Sequence, residues 1–299
     1  MGNVVGLHRA AGAPDGAPRL VLAAHCDEIG LMVRHIDDRG YLRVVPVGGI
    51  HAHTSTSQRV LVHGREPVKG VVAPLHPAHT KPEEVTPDEL FVDLGLPAER
   101  VRELVDVGDP ISYAQEFEQL NDSVVLGRNF DDRIGTYCLV QAMREVGDTQ
   151  VDVYAASTVQ EELGVRGAVV VGNTTLPDIA VAIDGSLPRA PYIEEHVWTT
   201  EVGAGTGIYV MDRLTMGSPK LVSFLVDLCR RRGIPFQRNV WGGTDASALQ
   251  RSGAGALATT IGAPVRYMHS TVQLCHVDDI DATVALLVAL MESAHELLG

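Results

Sequence analysis

Residues 151–184 read VDVYAASTVQEELGVRGAVVVGNTTLPDIAVAID, and this stretch decides the fold. VDVYAAST is a β-branched, apolar run of strand length, GVRGAVVVG suits a short helix, and DIAVAID is a second buried strand. Strand, helix and strand in that order make a parallel pair, because parallel neighbours need a long crossover between them. The alternation continues in both directions. Downstream come a helix in KLVSFLVDLCRR, a strand in PFQRNV, a helix in DASALQRS, a strand in ALATTIG and a final helix over residues 279–298. Upstream lie a helix over residues 134–146 and two strand-like runs, RLVLAAH at residues 19–25 and IGLMVR at residues 29–34. Such a pattern implies a mostly parallel sheet covered by helices on both faces.

Between residues 36 and 119 the texture changes. Short β-branched runs (YLRVVPV, RVLVHG, VKGVVAP, DPISYA) are separated by turns rich in Gly, Pro and His, and only PAERVREL looks helical. The expectation is one α/β body, residues 1–35 and 120–299, interrupted by a β-rich insert, residues 36–119.

Composition narrows the function classes. The chain has 299 residues, 45% of them apolar, enough for a sizeable core. The formal charge of −14 argues against a nucleic-acid partner or an anionic membrane surface, both of which call for a basic patch. The basic run Arg230, Arg231, Arg232 closes an apolar-periodic segment and reads as the last turn of a helix, where cations are favoured. Cys26, Cys138, Cys229 and Cys275 are scattered with no C-x-x-C pair, which fits reduced thiols and a cytoplasmic protein. No apolar run has membrane-spanning length, and the first residues lack the build of a secretory signal.

Five short stretches at strand ends carry the chemistry: AHCDEIG, NFDDRIG, VQEELGVRG, AIDGS and RYMHS. Open α/β sheets place their sites at such ends. In extended chain His25 and Asp27 face the same way, so the Asp27 carboxylate can take one ring N–H of His25 and leave the other nitrogen for a metal. A strand-end histidine bonded to its neighbour is the plain alternative. Asp131 and Asp132 precede a helix, where either serves as a cap, yet one Asp has two oxygens and can bridge two metal ions about 3.5–4 Å apart. Asp131 is the candidate bridge, and Asp132 is given either the helix-start role or a supporting one behind the ligands. Glu161 and Glu162 are adjacent acids, an unfavourable pairing unless a cation neutralises them or water solvates them. One can bind a metal while the other acts as general base. Asp184 ends a strongly apolar strand and is either a ligand or a turn residue. His269 ends another element. Imidazole and carboxylate donors suit Zn²⁺ or Co²⁺. A rival set, His51 and His53 with His76 and His79, lies in the insert without matching acids and reads as surface or interface.

In order along the chain, HxDEIG, DDRxG, EExGxRGA, the strand-ending Asp-Gly, GGTDA at residues 242–246 and RYxHS resemble metallopeptidase family forty-two, the glutamyl and tetrahedral (TET) aminopeptidases. The resemblance implies a three-layer α/β zinc-peptidase fold with a mixed sheet and an inserted PDZ-like dimerisation domain. It also implies two divalent ions per subunit, Zn²⁺ or Co²⁺, removal of N-terminal residues from peptides, and a homodimer or higher homo-oligomer up to a dodecamer. Residue by residue, it implies His25, Asp184, Glu162 and His269 as metal ligands with Asp131 bridging, Glu161 as the base that activates a bridging water, and Asp27 as the residue orienting His25. His269 is the implied ligand and His276 is not, since His269 occupies the histidine of RYxHS. Two departures accompany the match. Members usually carry about fifty further residues ahead of the segment matching Gly2, so a shortened member is expected. Gln273 stands where the family often has Glu, with an expected effect on charge or dimer contacts. Two alternatives are an endoglucanase, which would leave both histidines idle, and a catalytically silent assembly or binding protein of the same fold.

Overall fold

The computed structural model describes residues 1–12, 16–75, 85–191, 193–197 and 199–298, so His76 and His79 fall outside the described residues. Its centre is a seven-stranded sheet in the order Val4–His8, Asp152–Thr158, Arg19–His25, Ile179–Ile183, Leu257–Gly262, Thr206–Tyr209, Phe236–Asn239. Asp152–Thr158, Arg19–His25, Ile179–Ile183 and Leu257–Gly262 pair in parallel, as the strand–helix alternation requires. Val4–His8 adds to one side antiparallel, and Thr206–Tyr209 runs antiparallel to Leu257–Gly262, so the sheet is mixed.

Arg19–His25 shows why these runs are apolar at every position. Leu20, Leu22 and Ala24 belong to a core shared with the helices Phe130–Glu145, Pro219–Arg232 and Val277–Ser293, while Val21 and Ala23 belong to a second core shared with Arg166–Thr175 and Ala246–Gln250. A strand covered on both faces has no solvent side on which to place polar residues. The helix Pro219–Arg232 buries Leu221, Val222, Leu225, Val226, Leu228 and Cys229 on one stripe, has proline in its first turn and ends at Gly233, whose φ of 68° most side chains resist. Its closing arginines lie at that helix end, with Arg231 3.2 Å from Glu296 and Arg232 3.1 Å from Glu292.

Six strands, Gly30–Ile36, Leu42–Val47, Leu90–Asp93, Pro67–Pro74, Arg59–His63 and Pro110–Tyr113, close into a small barrel. Leu31, Leu42, Val60, Val62 and Val92 fill it, together with Val101 of the helix Ala98–Leu104. Its first strand starts at Gly30, ahead of the expected start of the insert at residue 36. A four-stranded sheet, Val265–Arg266, Gln273–His276, Val124–Gly127 and Glu118–Gln119, flanks the body. Among the described residues no helix is long and apolar enough to cross a membrane, and all four cysteines are free.

Candidate metal centre

His25 is the last residue of its strand and is almost wholly buried. Its Nε2 lies 3.1 Å from Asp131 Oδ1. Its Nδ1 lies 3.1 Å from the Asp27 carbonyl oxygen and 3.5 Å from Asp27 Oδ1. Asp27 does more than face His25: its carboxylate accepts the backbone N–H of Glu161 at 3.1 Å and of Glu162 at 3.2 Å, tying the acidic loop to the strand end. Asp132 holds the helix start by accepting from the Gly135 N–H at 3.1 Å, and also accepts from the His25 backbone N–H at 3.2 Å. Asp131 has non-helical φ and ψ inside the helix Phe130–Glu145, which turns its carboxylate toward the two imidazoles.

His269, at φ 59°, closes the other side. Its Nε2 is 3.4 Å from Asp131 Oδ2 and 3.6 Å from Glu162 Oε2, and its Nδ1 is 3.2 Å from the Gly49 carbonyl oxygen. Gly49 belongs to the barrel side of the chain, and a Cβ there would overlap the His269 ring. Two donor groups result, His25 with Asp131 and Asp184, and Asp131 with Glu162 and His269, each with its atoms within 4.8 Å of one another. The structure thus brings together His25, Asp131, Glu162, Asp184 and His269, with Glu161 lining the same cleft. His276 stays apart, with Nδ1 capping the final helix at the Asp278 N–H.

The donor chemistry fits cations. A carbonyl oxygen only accepts, so Nδ1 of each histidine carries hydrogen toward Asp27 O and Gly49 O, leaving both Nε2 atoms facing carboxylate oxygens. A neutral imidazole would meet those oxygens lone pair to lone pair. Either both rings are protonated or positive charge lies between them. Burial resists charge on His25, but Asp131 and Asp27 push its pKa well up. Asp131 chiefly, with Glu162, carries His269 to about 9. Burial would raise Asp131, yet hydrogen bonds from His25 and His269 draw it below the usual carboxylate range. Burial, with repulsion from Asp245, Glu162 and Asp131, pushes Glu161 up to about 8 against the pull of His25. Burial and Asp131 push Glu162 to about 7. Asp184 is raised by burial and by Asp131 and Asp132. These are acids held together at a cost that divalent cations would relieve.

The cleft above them has a volume of about 670 Å³. Tyr209, Arg213, Leu214, Trp241 and Met268 line it beside the acids, and so does His51. His51, read from the sequence as a surface or interface residue, therefore belongs to the cleft wall. Its ring sits 5.7 Å from that of His53, and partial burial, His53 and His269 lower its pKa. A second groove of about 820 Å³ lies against the barrel, lined by Arg59, Lys69, Gln115 and Arg128, and holds neither donor group. Gln273 is 1% exposed and accepts the Asp131 backbone N–H at 2.7 Å. Of the two expected effects, on charge near the site or on dimer contacts, the enclosed position against Asp131 fits the first. Asp245, from GGTDA, accepts from Thr158 Oγ1 at 2.5 Å beneath the site. Only their closeness in sequence to His269 and to a matched motif signalled these two.

The M42 glutamyl aminopeptidase family model matches residues 2–286. Lysyl aminopeptidase of Pyrococcus furiosus is 32% identical over 303 residues, covering 98% of this chain and 85% of that protein. Aminopeptidase APDkam598 from the archaeon Desulfurococcus kamchatkensis superposes with a TM-score of 0.92 at 34% identity, over 97% of this chain and 83% of that one. Pyrococcus horikoshii TET1 peptidase, described as assembling into a tetrahedron or a large octahedral shell, superposes with a TM-score of 0.85 at 30% identity, over 97% of this chain and 86% of that one. With a mixed α/β fold, a closed barrel and two donor groups meeting at Asp131, the chain belongs to the M42 glutamyl aminopeptidase family and is an aminopeptidase, a hydrolase acting on peptide bonds.

Proposed function

We propose that this chain is a dinuclear metal-dependent aminopeptidase of the cytoplasm, with two Zn²⁺ or Co²⁺ ions per subunit. The observation that carries the reading is the pair of donor groups that share Asp131. His25 and Asp184 would hold one ion and Glu162 and His269 the other, with Asp131 shared between the two groups. When bound, the ions supply Lewis acidity toward water and toward the scissile carbonyl. Glu161 lies in the cleft beside these residues, where its carboxylate is placed to take a proton from the attacking water and pass it to the leaving amine. Asp27 keeps Glu161 and Glu162 in place through their backbone N–H groups and supports the Nδ1 side of His25. The barrel is read as a PDZ-like dimerisation domain of a homo-oligomer, between a dimer and a dodecamer.

An aminoacyl-nitroanilide assay with added Zn²⁺ or Co²⁺, run on the protein and on Glu161→Gln, tests this. The substitution is expected to cost about 10²–10⁴-fold in kcat while two ions remain bound. Equal rates would overturn the role of Glu161, and metal content near two that survives His25→Ala would overturn the ligand set.

A further inference from the structure

Asp131 can serve two ions only if its backbone is fixed, and that backbone lies where a helix supplies no partner. At the first turn of Phe130–Glu145 an N–H group has no acceptor within the helix, and Asp131 is 5% exposed, so water is not at hand. Gln273 supplies the acceptor from 142 residues away, its Oε1 taking the Asp131 N–H at 2.7 Å. The contact depends on antiparallel register. Gln273 opens the strand Gln273–His276 and pairs with Gly127, the last residue of the strand Val124–Gly127, which leads directly into the helix. Once that N–H is held, the carboxylate sets Oδ1 at 3.1 Å from His25 Nε2 and Oδ2 at 3.4 Å from His269 Nε2. A small rotation of the backbone would spoil both distances together. An amide does this without adding another negative charge to a site already holding Asp131, Asp132, Asp184, Glu161 and Glu162.

We propose that Gln273 is a positioning residue for the bridging carboxylate: by accepting the Asp131 N–H it sets the metal affinity of a site it does not itself ligate. The inference rests on the two-ion reading above. Its test titrates the metal-free protein, Gln273→Leu and Gln273→Glu with Co²⁺, following the visible absorption of the bound ion, with far-ultraviolet circular dichroism to confirm folding. Gln273→Leu, which has no acceptor, is expected to bind Co²⁺ at least about tenfold more weakly with an altered band, as is usual when a ligand loses its support. Gln273→Glu, which keeps the acceptor, is expected to bind as tightly as the parent or tighter. Parent-like affinity and spectrum in Gln273→Leu would overturn the proposal. If Gln273→Leu does not fold, Gln273→Glu decides: tenfold weaker binding than the parent overturns it, and parent-like or tighter binding supports it. A parent protein that binds no Co²⁺ would instead overturn the two-ion reading.

Discussion

Stripping the metal and raising the pH from 5.5 to 8.5 is expected to destabilise the protein, in contrast to its metal-loaded form. Glu161 has an ordinary value of 4.5 and is pushed to about 8 by burial, Asp245, Glu162 and Asp131; Glu162 is pushed from 4.5 to about 7 by burial and Asp131. A carboxylate whose folded pKa lies above its unfolded one binds its proton more tightly when folded, so stability falls as pH rises from 4.5 through the folded value. His269, raised from 6.5 to about 9, acts in the same direction: its contribution is complete below 6.5 and lost as pH rises through 9. Asp131 has the opposite sign, but its depressed pKa means its contribution is already complete above about 5. One pH unit between folded and unfolded values is worth ~1.4 kcal/mol. The two glutamates share their mutual repulsion, so we take about 4 kcal/mol for the pair rather than the full interval for each. With an unfolding entropy of roughly 2 cal/mol/K per residue, that is a fall in Tm of about 6 °C across the window. Scanning calorimetry of chelated protein at pH 5.5, 7.0 and 8.5 measures it, with Glu161→Gln/Glu162→Gln as the control in which the glutamates' share of the slope disappears and that of His269 remains. A Tm that stays level or rises with pH in the chelated protein, or an identical slope in the double variant, would refute the reasoning.

Two further outcomes are expected. Gly49→Ala places a Cβ against the His269 ring, so bound metal measured after gel filtration should fall by about tenfold in affinity while the circular dichroism spectrum is retained; undiminished metal content would show that the loop yields freely. Leu225→Ala, at a fully buried position of the helix Pro219–Arg232, should cost about 2–5 kcal/mol in urea unfolding, and a loss under 1 kcal/mol would mean that the core collapses into the gap.

The α/β body was legible because its strands are buried on both faces and its helices carry apolar stripes. Asp152–Thr158, Ile179–Ile183 and Pro219–Arg232 all coincide with runs visible in the chain. Other elements left no such trace. Val4–His8 lies at a sheet edge with Val4, Val5 and Leu7 exposed, so it shows no burial pattern. Thr206–Tyr209 and Gln273–His276 are four residues each, too short to establish a period. Their pairing is set by neighbours far along the chain, and the second of them is what brings Gln273 to Asp131.

The sequence by itself determined the residue types, their order and their positions at strand ends, which was enough to name His25, Asp131, Glu161, Glu162, Asp184 and His269. It left open which carboxylate meets which ring. Asp131 stands between His25, 106 residues before it, and His269, while the carbonyl that holds His269 comes from Gly49, 220 residues away beside the barrel. Such meetings depend on parallel register and on loop closure, which local propensity does not encode. Tertiary structure also set the exposed His51 at the cleft wall and placed Gln273 in the interior against the Asp131 N–H. The physical reason is common to both: a residue's surroundings are set by what packs near it, and those neighbours are distant in the chain.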